Sequence, residues 1–176
     1  MSKKQIALWA LAFKVLWIVT LTQAGERAWI STLGVWGYAI LCGSRQPSFI
    51  WKVIGMAMLC SLLGDGGLGW IKVLQMPDGS ALGVPPLWLI GLWAAFATII
   101  PICFRWLYNR LWLASILGAA SGTLSYISGG KLGALMVDGE GLWWIAAEWG
   151  VALPLLVWLA QKGEDDVFTE TISKTV

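Results

Sequence analysis

The sequence predicts an all-α protein, a bundle of six transmembrane helices whose third helix is interrupted by glycines. Of the 176 residues, 58% are hydrophobic and only 12% are charged, and the charged fraction is about half that of an ordinary globular domain. The apolar residues also fall into six runs, most of them close to the ~20 residues that a helix needs to cross a bilayer. A soluble domain could not bury so much apolar surface, whereas lipid-facing helices can be apolar all round.

The six predicted spans follow one another with short connections. They cover residues 6–22, 28–42, 49–74, 86–104, 111–127 and 141–159. Pro86 suits the first turn of the fourth span, and Pro101 predicts a kink or an end near the membrane face. Residues 76–85 are rich in turn formers and predict a loop. We therefore expect one transmembrane domain over residues 1–160 and a loose, polar cytoplasmic tail over residues 161–176.

Glycines interrupt the third span around one acid. Residues 64–69, Gly-Asp-Gly-Gly-Leu-Gly, satisfy the dinucleotide-binding pattern G-x-G-x-x-G. That fingerprint needs a preceding strand within a βαβ unit, and both flanks here are apolar membrane runs. The pattern instead predicts a bent or broken helix beside a buried acid, Asp65, with glycines that allow another backbone or a ligand to approach closely.

The distribution of basic residues predicts the orientation. Lys and Arg accumulate on the cytoplasmic side of a membrane protein. One set of connections holds Lys3, Lys4, Arg45, Lys52, Arg105, Arg110 and Lys162, and the alternate set holds only Arg27, Lys72 and Lys131. We therefore expect a multi-pass membrane protein with both termini in the cytoplasm.

Ionisable residues inside the spans are the best candidates for a site, since each costs at least ~2.5 kcal/mol at a helix centre unless it is paired or hydrated. There are four such residues: Lys14, Asp65, Lys72 and Glu148. The run directions place Lys14, Asp65 and Glu148 at overlapping depths in the membrane. With Ser125, Tyr126 and Lys131 they would line a ligand-binding chamber in the outer half of the membrane. The alternative is an ion-pair set that only specifies how the helices pack.

Twelve of the fourteen tryptophans fall into two groups by predicted depth. An indole at a span end can keep its body in hydrocarbon and its N–H among headgroups. Nine tryptophans are predicted to form such a belt: Trp9, Trp29, Trp51, Trp70, Trp88, Trp106, Trp143, Trp144 and Trp158. Trp36, Trp93 and Trp149 fall deeper and are candidates for packing on a ligand.

The fifth span carries a face of small residues. Ala114, Gly118 and Gly122 recur at four-residue spacing, which predicts a very close helix approach.

The chain has no histidine, and its three cysteines are far apart in sequence, so we expect no metal and no cofactor. No basic block indicates nucleic acid. No nucleophile can be matched to a base by spacing, which leaves open whether the protein is an enzyme.

Residues 117–134 contain Gly-Thr-Leu-Ser-Tyr-Ile-Ser-Gly-Gly-Lys-Leu-Gly-Ala, close to a pattern G-P-L-S-Y-x-A-G-x-x-L-G-A with Thr123 in place of proline. Residues 62–69 fit L-x-x-D-x-x-L-x-x-x-G loosely, and Pro-Leu-Trp-Leu at 86–89, Leu-Trp at 92–93 and Arg-Trp-Leu at 105–107 add to the likeness. The chain thus resembles a family of small, tryptophan-rich bacterial inner-membrane proteins catalogued as a domain of unknown function. The family's gene neighbourhood, near fatty-acid cyclopropanation, implies a lipid-linked role. Its shared positions correspond to Asp65, Ser125, Tyr126, Gly129, Lys131 and Gly133.

The sequence is compatible with three functions. The first is a lipid-associated protein whose outer-half cavity binds a headgroup or a modified acyl chain. The second is a non-catalytic accessory subunit that docks on a membrane protein, or on a second copy, through Gly118, Gly122 and the acidic tail. The third is a small carrier with a proton or ion relay of Lys14, Asp65 and Glu148.

Overall fold

The computed structural model describes residues 3–24, 27–76 and 83–174, and within them the chain is an all-α bundle. Six helices follow in chain order: α1 (Lys3–Thr22), α2 (Ala28–Gly43), α3 (Ile50–Trp70), α4 (Leu87–Cys103), α5 (Leu111–Lys131) and α6 (Gly141–Ser173). Most of the predicted loop at residues 76–85 lies outside the described residues. The all-α prediction is confirmed.

Four of the six helices are long and apolar enough to cross a membrane, namely α1 from Lys4, α3, α5 and α6. The other two are apolar but shorter, with 16 residues in α2 and 17 in α4. At 1.5 Å per residue these two measure roughly 24–26 Å, a little less than the ~30 Å hydrocarbon core. A count of six membrane crossings therefore stays a prediction.

Helix α4 is the centre of the bundle. It packs against α1, α2, α3 and α6, and every one of its residues from Trp88 to Pro101 except Phe96 is buried. Its sequence is apolar on all sides, as a helix surrounded by others requires. Trp88 is only 1% exposed, so its assignment to an interfacial belt is wrong, because neighbouring helices cover its side chain. Seven of the other predicted belt residues are largely exposed, and Trp9 is half-buried.

The expected irregularity of α3, a bend or a break, is found as a wider turn, and the helix continues through the glycine-rich segment without a break. An α-helical stretch, Ile50–Cys60, passes into one π-helical turn, Ser61–Asp65, and returns to α-helix at Gly66–Trp70. A π turn inserts one residue without ending the hydrogen-bonded ladder, and such turns are frequent at functional sites. The irregularity lies where the sequence predicted it and takes the form of a wider turn.

Helix α6 extends far beyond the predicted span and includes most of the predicted tail. The expectation of a loose tail is wrong for residues 161–173, which are helical. Gln161 Nε2 donates to Asn109 Oδ1 at 2.9 Å, and Arg105 forms an ion pair with Glu164 at 2.5 Å. Phe49 packs so closely on Gly163 that a Cβ there would overlap its ring. These contacts hold a polar segment that hydropathy alone marks as unstructured.

The connections at the other end of the bundle are joined by a short ladder. Strand β1 (Leu74–Gln75) follows α3, strand β2 (Met136–Val137) follows α5, and the two pair antiparallel with Leu74 opposite Val137. A small second core lies beneath them and contains Leu68, Tyr126 and Ile145. The ladder therefore ties the ends of α3 and α5 together, next to the segment that carries Asp65.

Candidate functional site

Asp65 is the centre of a buried polar cluster, the Asp65 cluster, which also contains Ser61, Trp93 and Tyr126. Ser61 Oγ and Trp93 Nε1 both donate to Asp65 Oδ2 at 2.8 Å. The Tyr126 hydroxyl donates to Asp65 Oδ1. All four residues are at most 4% exposed. Three donors from three helices satisfy one carboxyl group, as buried polar groups require.

The π turn positions two members of this cluster. It brings Ser61 and Asp65, four residues apart, within hydrogen-bonding distance inside one helix. Trp93 comes from the central helix α4, and Tyr126 follows the close-packed face of α5. Since the three donors come from α3, α4 and α5, the cluster also fixes the depths of these helices relative to one another.

Glu148 on α6 lies beside the cluster. Its carboxyl group occupies the space that a side chain at position 64 would fill, because a Cβ on Gly64 would overlap Oε1, Cδ and Cγ of Glu148. Both carboxyl oxygens are buried and have no hydrogen-bond partner among the described residues. The structure thus brings together the two acids of the predicted site, one with three side-chain donors and the other with no side-chain donor among the described residues.

Trp149 packs against the small-residue face of α5. Ala114, Gly118 and Gly122 are buried there, as predicted. A Cβ at Gly118 would overlap the main-chain oxygen of Trp149, and one at Gly122 would overlap its side chain. The indole of Trp149 then stacks on Trp93, with ring centroids 4.3 Å apart and planes at 21°. Two of the three tryptophans predicted to pack on a ligand therefore form one aromatic wall.

The third tryptophan predicted to pack on a ligand, Trp36, lies on α2 and is not part of this aromatic wall. Its indole donates to the main-chain oxygen of Leu87 at 3.2 Å and packs on Gly91.

A cleft of about 430 Å³ lies on the other side of this wall. We call it the α1/α5 cleft, because α1 and α5 form its sides and α4 with Trp149 forms its base. Its polar lining comes from Lys14 on α1 and from Ser121, Ser125 and Tyr126 on α5. The remaining lining is apolar and aromatic. The volume falls within the ~300–1,000 Å³ of small-molecule sites, which share this mixture of lining groups.

The predicted site residues divide into three sets. Asp65, Tyr126 and Glu148 lie together, and Lys14 and Ser125 line the adjoining cleft with Tyr126. Two lysines, Lys72 just after α3 and Lys131 at the end of α5, are exposed and belong neither to the Asp65 cluster nor to the α1/α5 cleft. Neither acid forms an ion pair with a lysine within residues 3–24, 27–76 and 83–174. The expected lysine–carboxylate network is therefore absent there.

Two members of the Asp65 cluster were not anticipated as such. Ser61 lies four residues before Asp65, a spacing that places both on one helix face and that could have identified it. Trp93 was expected to face a ligand, and its ring does line the cleft while its N–H turns to Asp65. Its pairing with Asp65, 28 residues away, leaves no trace in local sequence.

The family described as a protein of unknown function, DUF2878, matches residues 6–155. No curated protein and no solved structure matches the chain. Since the match covers most of the sequence, including all of α2 to α5, the chain belongs to this family.

Proposed function

We propose that this member of DUF2878 is an integral membrane protein that binds a membrane amphiphile in the α1/α5 cleft. The observation that carries the proposal is the lining of the cleft, an apolar and aromatic surface with a small polar group at one side. An acyl chain complements the apolar surface. A polar group on the same molecule, either a headgroup or a substituent of a modified chain, complements Lys14 and Ser125.

The charge of Lys14 favours an anionic ligand. Lys14 is exposed along the cleft in the middle of α1 and has no ion-pair partner among the described residues. A lysine at mid-depth is costly unless it is paired or hydrated. A carboxylate or phosphate in the cleft would compensate this charge. Ser125 adds a hydroxyl on the facing helix, so that both sides contribute to polar recognition.

Photocrosslinking with a palmitic acid analogue that carries a mid-chain diazirine tests the proposal. With full-length protein in native membranes, we expect crosslinks on peptides of α1, α4 and α5. Ser121→Trp fills the cleft from α5 and should abolish them. Leu124→Trp is the matched control, because Leu124 lies on the same helix and is 63% exposed outside the cleft. Equal crosslinking in both variants would refute the assignment.

Substitution of Lys14 tests the anionic group. Lys14→Leu should weaken crosslinking by the fatty acid and leave crosslinking by the corresponding uncharged fatty alcohol unchanged. Equal losses with both probes would count against recognition of an anion. A response only to a photoactivatable phospholipid would assign the anion to a headgroup phosphate.

Two other functions have less support. The accessory-subunit hypothesis used Gly118 and Gly122 as a docking face, and α6 of the same chain already occupies that face. The relay hypothesis requires Lys14 to connect with the two acids, and no ion pair links them among the described residues. The acidic end of α6 stays available for a partner.

We further propose six membrane crossings in the plasma membrane with both termini cytoplasmic. Arg45, Arg105, Arg110 and Lys162 lie at one end of the bundle, whereas Lys72 and Lys131 lie at the other. Reporter fusions after residue 176 and within residues 76–85 distinguish this topology, because the first should report a cytoplasmic location and the second an external one. The same location for both reporters would refute it.

A further inference from the structure

Two acidic side chains lie side by side within the bundle at the level of the π turn. Asp65 is held by three donors, and the Glu148 carboxyl fits against Gly64, the residue before Asp65. Both carboxyl groups are removed from solvent, since Asp65 is 2% exposed and the Glu148 oxygens are inaccessible. At this short range in an apolar surrounding, two negative charges repel strongly, and both cannot ionise together.

The hydrogen bonds decide which of the two carries the negative charge. Ser61, Trp93 and Tyr126 all present hydrogens to Asp65, and such donors stabilise a carboxylate. Glu148 receives no side-chain donor from the described residues, and only the main-chain N–H of Asp65 approaches its carboxyl group. An ionised group without donors or a counter-ion is the least favourable state for a buried side chain. The negative charge therefore belongs on Asp65 and the proton on Glu148.

Among the described residues, no group around the two acids supplies a positive charge. From α3, the titratable neighbours of Glu148 are Asp65 and Cys60, and from α5 the neighbour is Tyr126. From α4, Trp93 faces Asp65 with its indole N–H. Neither acid has a lysine or arginine partner among the described residues, and these residues contain no metal-binding group of three or more acids or cysteines. A proton needs no further ligands and neutralises one of the two carboxylates, so it is the cation that this site suits best.

We propose that Glu148 is a proton-binding site, which holds one proton next to the Asp65 carboxylate inside the membrane. Gly64 is the residue that makes room for it. The site lies behind the aromatic wall of the α1/α5 cleft, because Trp93 and Tyr126 belong to both. This proton site depends only on the two acids and their donors, whatever molecule the cleft binds.

Dicyclohexylcarbodiimide tests the proposal, since this apolar reagent modifies protonated carboxyl groups within membranes. Full-length protein in proteoliposomes should acquire one adduct, which peptide mass spectrometry locates on Glu148. Glu148→Gln should remove this adduct. Glu140→Gln is the matched control, because Glu140 precedes the same helix and is exposed, and it should leave labelling unchanged. Absence of an adduct on Glu148 in the wild type, or an adduct on Asp65 alone, would overturn the proposal.

The pH dependence tests the role of Asp65. In the wild type, labelling of Glu148 should persist at neutral pH. In Asp65→Asn, the neighbouring negative charge is gone, so Glu148 should lose its proton, and its labelling, at lower pH. An unchanged pH profile would refute the interaction between the two acids. Protection of Glu148 by sodium ions at constant pH would overturn the assignment to a proton in favour of a metal cation.

Infrared difference spectroscopy gives a second readout that needs no reagent to enter the site. The wild type should show the carbonyl band of a protonated carboxylic acid that resists exchange into alkaline buffer, and Glu148→Gln should lack it. Retention of the band in Glu148→Gln would assign the proton elsewhere and overturn the proposal.

Discussion

Replacement of Gly118 by alanine should separate α5 from α6 and lower the free energy of unfolding by about 2 kcal/mol. The added methyl group would overlap the main-chain oxygen of Trp149 and lie 2.9 Å from Leu153 Cβ. These atoms belong to the backbone or are fixed to it, so no rotamer change can relieve the overlap and the two helices must move apart. Overpacking of this kind typically costs ~1–3 kcal/mol. A change of 2 kcal/mol corresponds to roughly a thirtyfold shift in the folded to unfolded ratio.

Reversible unfolding in mixed micelles, followed by circular dichroism, measures this effect. Gly150→Ala is the matched control, because Gly150 lies on α6 at the same interface and a Cβ there meets its nearest atom, Ser115 Oγ, at an ordinary 3.6 Å. We expect a change within ~0.5 kcal/mol for the control. If Gly118→Ala and Gly150→Ala unfold at the same denaturant concentration, close packing of the backbones does not hold α5 on α6, and the reasoning fails.

Three further predictions concern the cluster and the end of α6. Tyr126→Phe removes one donor from the buried Asp65 and should cost ~1–3 kcal/mol of stability in the same unfolding assay, whereas a neutral result would show that Asp65 does not need this donor. Arg105→Ala breaks an ion pair that is exposed on the arginine side and worth only ~0.2–1 kcal/mol. It should therefore speed trypsin cleavage at Lys162 while leaving global unfolding almost unchanged, and unaltered cleavage would contradict the docking of this segment.

Burial, together with the charge of Glu164, raises the pKa of Tyr108 above its usual range. The folded protein therefore keeps the phenol proton while the unfolded chain releases it near pH 10. Stability should fall as the pH rises through about 10, and less so in Tyr108→Phe; identical pH profiles for both proteins would refute this.

The positions of the helices could be predicted from the sequence because each depends on local composition. Apolar runs of sufficient length predict helices in a membrane, and the predicted and observed starts of α2 and α5 coincide at Ala28 and Leu111. The small-residue spacing at Ala114, Gly118 and Gly122 likewise indicated a close-packed face. The polar extension of α6 could not be predicted in this way, because contacts of Gln161, Gly163 and Glu164 with other parts of the chain hold its first polar turn.

The candidate site was predicted less completely than the fold. Intramembrane charge identified Asp65 and Glu148 correctly as neighbours, since both are costly in lipid and both must face protein. The same rule wrongly placed Lys72 in the chamber, and Lys131, which the expected chamber also included, lies outside it as well. Both follow or end a helix and reach the surface, where a lysine bears no such cost.

The sequence by itself determined that this chain is a bundle of apolar helices with an acid beside an irregular turn of α3, because hydropathy and glycine content act locally. Tertiary structure alone decided what faces that acid. Trp93 and Tyr126 reach it from 28 and 61 residues away, and Glu148 reaches it because Gly64 has no side chain. Such contacts depend on the depth and rotation of each helix, which the packing of all six sets together. The pairing of a carboxyl group that has three side-chain donors with one that has none among the described residues is thus a property of the folded bundle.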